Sequence, residues 1–370
     1  MTETDPGPVL AGPEPASVAP PAPAGASRRR MPPLLAYALR RVASSVLIVF
    51  GVTLVTFLLS SVVPADPATA NLGQRALDDP GIVARYRAEQ GLDRPLPVQY
   101  ASYLGNLLTG DLGISQQTQR PVLDDLAEKL PATLELVVVA TVMALVVGVL
   151  LGVLAAKGRG GHLDRISRTL SLTGVSLPTF WIGMVAAVLF VKNLGVLPGS
   201  GRLAPALDPP HRITGFYTAD ALLTGDTDAF ASAVAHLVLP ASVLALSVVG
   251  MVLRFTRSAV LEALSSDFVK AGRAKGLRGS GVLWGYAVRS ASGQLITATT
   301  LSFSLLLAAT VYIEQQFSWN GIGQYAFRSS TNLDLPAVMG VSILIALVFV
   351  VVNLVADLLY AAFDPRIRLS

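Results

Sequence analysis

Apolar residues in this 370-residue chain gather in long uninterrupted blocks, without the alternation of a strand or the single stripe of a surface helix. Six blocks hold no Asp, Glu, Lys or Arg: Val42–Ala65, Leu136–Ala156, Thr169–Val191, Ala229–Leu253, Ser290–Ile313 and Leu335–Ala356, each 21 to 25 residues long. A helix needs about 20 apolar residues to cross the ~30 Å hydrocarbon core of a bilayer. The pattern therefore predicts an all-α polytopic membrane protein with six transmembrane helices, at about 40–63, 132–156, 169–192, 234–256, 291–314 and 336–360. Helices of a soluble core are the alternative, and six such runs exceed what a soluble core holds.

Between the blocks the chain is polar and punctuated. Residues 1–33 are rich in Pro and Ala with no apolar periodicity, which predicts a disordered cytoplasmic tail. The outer loop 64–131 carries helix signals. Asp79-Pro80 reads as a cap and a first-turn proline, with Gly91 as the stop, giving a helix near 80–90. A second helix near 97–108 places Ala101, Leu104 and Leu108 on one face, and the pair is expected to lie over the outer mouth of the bundle. Pro131 reads as the opening of the second membrane helix, with Glu135 complementing the dipole of its first turn. Gly148 and Gly152 form a GxxxG pair that permits close helix approach. Pro178 is expected to kink the third helix.

Composition and charge sharpen this picture. Hydrophobic residues make up 52% of the chain and charged residues only 14%, against about 25% charge in a soluble domain. With the N-terminus inside, 18 of the 28 Lys/Arg fall in cytoplasmic segments, among them Arg28, Arg29, Arg30, Arg40 and Arg41 ahead of the first helix. The bias places both termini in the cytoplasm and makes the net charge of +4 a mark of topology, with no nucleic-acid partner. Absence of cysteine excludes disulfides, thiolate catalysis and thiolate metal sites.

Catalytic constellations are not legible. His162, His211 and His236 lack metal-ligand spacing, and no GxSxG elbow or GxxxxGK[ST] phosphate loop is present. Ion-coupled transporters carry ionisable groups at membrane depth, whereas Glu135, Glu314 and Asp357 all fall at the ends of the apolar runs. A self-powered secondary transporter or channel, the rival reading, is disfavoured on that ground. An intramembrane enzyme would need a facing catalytic pair, for which His236 and Glu314 are the only candidates.

One stretch stands apart. DFVKAGRAKGLRGSG, Asp267 to Gly281, lies in the most basic cytoplasmic segment and carries Lys270, Arg273, Lys275 and Arg278. Ser265 or Ser266 reads as the cap of a helix starting at Asp267, and Gly276 as its stop. Small residues cover part of this helix and basic residues the rest. A groove in a partner protein and an anionic lipid surface both accommodate such an element.

Lys270-Ala271-Gly272-Arg273-Ala274-Lys275-Gly276-Leu277 resembles the "EAA" loop of bacterial ABC importer permeases, with Gly276 at the signature glycine. From about residue 36 onward the chain is similar to the first (B-type) permease of dipeptide/oligopeptide/nickel importers. The ordered boxes are VPADP at 63–67, GLDRPLPVQY at 91–100, GDLG at 110–113, LPATLEL at 130–136 and SLPTFWIG at 176–183. They continue with LGVLPGSGR at 194–202, EQQFSWNGIG at 314–323 and DLLYAAFDPRIR at 357–368. Gly272 stands where the family has alanine, Tyr286 where histidine is common, and Gln294 and Asn320 where prolines are usual.

The resemblance implies a type I ABC importer permease in the bacterial inner membrane, importing di- or oligopeptides. It implies a homologous second permease, two ABC ATPase subunits and an extracytoplasmic solute-binding protein as partners. ATP and Mg are then bound by the ATPases, so this chain is a non-catalytic subunit without a cofactor. The loop 257–290 would carry a coupling helix seated in an ATPase cleft, with Ala271, Gly272 and Gly276 at motif positions and Arg273, Lys275 and Leu277 flanking them.

Overall fold

The computed structural model describes residues 33–62, 79–89, 93–162, 165 and 177–363. Residues 1–32 of the expected disordered tail, Gly91, the VPADP box and the DPRIR terminus lie outside these residues, while Pro33 opens a helix. Among the described residues all regular elements are helical, and the one isolated bridge pairs Ile114 with Pro121. In chain order they are α1 (Pro33–Val62), α2 (Pro80–Glu89), α3 (Leu96–Leu108), α4 (Val122–Lys157) and α5 (Thr179–Ala186). A π-helical stretch, Ala187–Asn193, continues α5, followed by α6 (Tyr217–Thr224), α7 (Thr227–Ser265) and α8 (Asp267–Ala274). After a second π-helical segment, Gly281–Val288, come α9 (Ser292–Gln316), α10 (Ile322–Thr331) and α11 (Leu335–Phe363).

Five of the predicted membrane runs lie in helices long and apolar enough to cross a bilayer: α1, α4, α7, α9 and α11. The third run is present as the shorter apolar helix Thr179–Asn193, and residues 166–176 ahead of it lie outside the described set. Pro178 stands at the amino end of the described helix, and the 166–176 side of the expected kink lies outside the described residues. The proline precedes the first turn with an extended backbone (φ −61°, ψ 132°), the conformation that proline's fixed φ favours outside a helix.

α4 and α7 are among the long helices that overrun their expected bounds. α4 begins at Val122, so Pro131 lies inside it instead of opening it. Proline has no N–H for the carbonyl four residues back, and that carbonyl, on Ala127, accepts from Arg212 Nη2 at 2.8 Å. The added turns carry a small core of their own, Val122 and Leu126 against Ile322, Tyr325, Ala337 and Val341. α7 begins at Thr227, where Asp226 accepts from the Ala229 N–H at 2.9 Å, as an N-cap aspartate does.

α4 and α7 form the spine of the bundle. A Cβ on Gly148 would sit 2.7 Å from Val252 Cγ1, and one on Gly152 would sit 2.6 Å from Thr256 Cβ and 2.9 Å from the Leu253 carbonyl oxygen. The GxxxG pair is thus the line along which the two backbones meet. The most apolar window of α7 is 72% buried, whereas those of α1 and α11 are 11% and 22% buried. α7 is therefore the centre, and the α1–α11 pair presents apolar flanks outward. α3 packs along α1 through Phe50, Phe57, Tyr100 and Tyr103, with Thr53 Oγ1 3.0 Å from Tyr100 Oη. It therefore lies on the flank of α1 and not over the mouth. The end of the bundle opposite α8 is instead occupied by α6, α10 and the loop 194–216.

Candidate functional site

Where α7 ends, the six candidate residues fall on one short structure, α8 and its closing turn. Val269 and Gly272 are buried against α7 and the second π-helical segment, while Ala271, Arg273, Lys275, Gly276 and Leu277 are exposed. The helix ends in a Schellman turn. Gly276 N–H donates to the Arg273 carbonyl at 3.0 Å and Leu277 N–H to the Gly272 carbonyl at 3.3 Å. Gly276 takes φ +79°, the left-handed conformation in which glycine carries no Cβ penalty. Leu277 then folds back towards Gly272, where an added Cβ would meet its Cδ1 at 3.4 Å.

The amino end differs from expectation. Neither serine caps α8 with its side chain: Ser266 Oγ donates to the Ala263 carbonyl and Ser265 Oγ to that of Glu262. In place of a cap, Asp267 in the first turn pairs with Lys270 at 2.8 Å, the exposed i,i+3 arrangement that contributes a few tenths of a kcal/mol on a helix. What remains is a short projecting helix whose free face is cationic and edged by the exposed Phe268 and Leu277.

At the opposite end the structure joins boxes that lie far apart in sequence. Glu135, 3% exposed, is well inside α4 and not in its first turn as expected. It accepts from Arg202 Nη2 at 2.7 Å, from the N–H groups of Tyr217 (3.3 Å) and Thr218 (2.9 Å), and from the Thr218 hydroxyl at 2.6 Å. The Arg202 guanidinium lies 3.7 Å from the centre of the Tyr217 ring, a cation–π contact strengthened by desolvation. Its Nη2 also donates to the Gly215 carbonyl at 2.9 Å.

Glu314 is fully buried. It accepts from the Thr133 hydroxyl at 2.6 Å and from the Gln324 N–H at 3.0 Å. Thr133 in turn accepts from the Ile322 N–H at 2.8 Å, and the Trp319 indole N–H donates to the Ala132 carbonyl at 2.9 Å. Asn320 takes φ +54°, a conformation asparagine tolerates and a proline ring forbids. Thus LPATLEL, LGVLPGSGR and EQQFSWNGIG converge on one buried polar cluster, and Gly183 of SLPTFWIG abuts the Gln316 side chain. Sequence reading singled out these boxes without seeing that they meet, because nothing in linear spacing pairs residue 135 with residue 218.

Among the described residues no group of three or more His, Asp or Glu is arranged to hold a metal ion.

Residues 34–137 match the family described as "Binding-prot-dependent transport system membrane comp, N-term", and residues 148–369 match "Binding-protein-dependent transport system inner membrane component". The chain is 46% identical over 322 residues to the "Probable D,D-dipeptide transport system permease protein DdpB" of Escherichia coli (strain K12), covering 87% of this chain and 94% of that protein. It is 40% identical over 335 residues to the "Di/tripeptide transport system permease protein DppB" of Pseudomonas aeruginosa (strain UCBPP-PA14), covering 90% and 99%. Among solved structures, inward-facing MetNI methionine ABC transporter aligns with a TM-score of 0.47 at 16% identity, over 63% of this chain and 93% of that one. The chain belongs to the family of inner membrane components of binding-protein-dependent transport systems.

Proposed function

We propose that this chain is a permease subunit of an ATP-driven importer for di- or oligopeptides, forming the translocation path with a second, homologous permease. α8 is its coupling helix, seated in a cleft of one of two ATPase subunits, and an extracytoplasmic binding protein delivers the peptide at the outer end. The observation that carries the reading is the exposed, cationic α8, closed by Gly276 and projecting from the central helix α7, in a chain that resembles peptide-transport permeases along most of its length. ATP hydrolysis then belongs to the partners, and this chain contributes the path and the mechanical link.

The direction of force follows from the packing. α8 bears on α7 and the second π-helical segment, and α7 is the most enclosed of the long helices and packs on α4 along the Gly148–Gly152 line. Movement of α8 by an ATPase is therefore delivered to the middle of the bundle.

The test is reconstitution with and without partners. The purified chain alone is expected to hydrolyse no ATP, and the assembled complex to hydrolyse it in response to peptide-loaded binding protein. Peptide-stimulated hydrolysis by the isolated chain would overturn the proposal.

A further inference from the structure

The two short outer helices have no side-chain caps of their own. α6 follows Phe216 and α10 follows Gly321, neither with a capping side-chain bond. Each N-terminus instead meets a carboxylate carried by a long helix. Glu135 of α4 takes the first two N–H groups of α6, and Glu314 of α9 takes the Gln324 N–H of α10, with Thr133 of α4 taking that of Ile322. An anion at a helix N-terminus satisfies orphan donors and complements the dipole together.

The fit leaves no slack. A Cβ on Gly321 would lie 2.5 Å from both Glu314 oxygens, one on Gly323 2.8 Å from the Val311 backbone, and one on Gly215 2.8 Å from Pro131. Both glutamates are buried, so water cannot replace a broken bond, and an unpaired buried charge is strongly unfavourable.

We propose that Glu135 and Glu314 are positioning residues of the outer gate, fastening α6 and α10 to α4 and α9 so that this side of the gate moves as one body. The inference rests on the transport role proposed above. A hinge between α6 and α4 would have to break three bonds to Glu135 at once, so opening occurs at the boundary with the second permease and not within this cap.

Because the chain has no cysteine, introduced pairs can be spin-labelled uniquely. Leu123→Cys with Leu222→Cys spans α4 to α6, and Tyr312→Cys with Ser330→Cys spans α9 to α10; all four positions are exposed. Distances are measured in the assembled importer, first nucleotide-free and then trapped with ATP and vanadate. The expected result is one unchanged distribution per pair, while a distance from Leu222→Cys to a label on the second permease shifts. Separation of either intrachain pair on trapping overturns the proposal.

A functional arm accompanies it. Glu135→Ala is expected to raise hydrolysis without binding protein several-fold and reduce uptake, and Glu135→Gln, which keeps the acceptor for Thr218, to restore part of the coupling. If Glu135→Ala does not assemble, Thr218→Val removes one bond at constant shape and is expected to shift coupling the same way. Wild-type coupling in these variants would overturn the proposal. Failure of the unmutated chain to co-purify with ATPases counts against the transport role, and a separating pair in an assembled complex counts against the one-body cap alone.

Discussion

Glu135 and Thr218, 83 residues apart, are joined twice, by the backbone N–H and by the hydroxyl of Thr218, and Arg202 completes the contact from the loop between them. The carboxylate is therefore at once an ion-pair partner and the cap of a helix it does not belong to. A simple ion pair survives reversal of its charges, whereas a helix cap does not, because backbone N–H groups cannot be exchanged. Glu135→Arg with Arg202→Glu is expected to be no more stable than either single change, each losing about 3–5 kcal/mol as expected when one partner of a buried pair is removed. Thermal unfolding of the purified chain in detergent measures this. Recovery in the double variant would reduce the cluster to an ion pair.

Asp220, in α6 and outside the membrane-spanning helices, supplies a pH test. Burial alone would raise its carboxyl, but the Thr214 hydroxyl and the Thr214 and Gly215 N–H groups outweigh that and hold it below the ordinary value. A carboxylate depressed on folding contributes stability above its unfolded value, about 3.9, and loses it as the pH falls through the folded one. Asp220→Asn is expected to lower the melting temperature at neutral pH, with the difference from wild type shrinking in acid below that value. An equal difference at all pH values would contradict it.

The spacing along the α4–α7 line is tight enough to predict a penalty for one methyl. Gly152→Ala places a Cβ 2.6 Å from Thr256 and 2.9 Å from the Leu253 carbonyl oxygen, and a backbone atom has no rotamer in which to escape. Overpacking of this kind costs about 1–3 kcal/mol. Thr256→Ala at the facing position should recover only part of it, since the carbonyl remains. Unfolding of the single and double variants in detergent checks this.

Helices were legible in this sequence, and the tertiary use of their polar residues was not. The apolar runs give five long helices because the pattern follows a uniform physical need, about 20 apolar residues per crossing. Local glycine chemistry was equally readable at Gly276, whose left-handed turn depends on that residue alone. The overrun of α4 past Pro131 was not readable, because the orphan carbonyl of Ala127 is satisfied by Arg212, 85 residues away. Glu135 was misplaced for the same reason: from sequence it resembles a first-turn carboxylate, while in the fold it serves a helix formed much later in the chain.

In α8, Gly272 gives a prediction of opposite sign. It is a buried glycine in a regular helical turn, and a Cβ there would meet only the tip of the Leu277 side chain, at 3.4 Å. Alanine is favoured over glycine inside a helix by about 0.5–1 kcal/mol. Gly272→Ala should therefore stiffen α8. Slower amide exchange across Lys270–Leu277 is the expected outcome, and unchanged or faster exchange would show that the flexibility is not set by this residue.

Gly276 separates backbone conformation from partner contact. Nothing lies within 4 Å of the position a Cβ would take there, yet φ is +79°, so bulk is tolerated within this chain and conformation is not. Asparagine enters the left-handed region far more readily than a β-branched residue. If only the turn matters, Gly276→Asn keeps ATPase association and uptake close to wild type, while Gly276→Val loses both and still inserts in the membrane. If the open space is where an ATPase sits, both variants fail, because either side chain projects into it. The coupling-helix reading expects the second result. Co-purification of ATPases with each variant, measured beside peptide uptake, decides between them, and normal assembly with Gly276→Val would remove α8 from the coupling role.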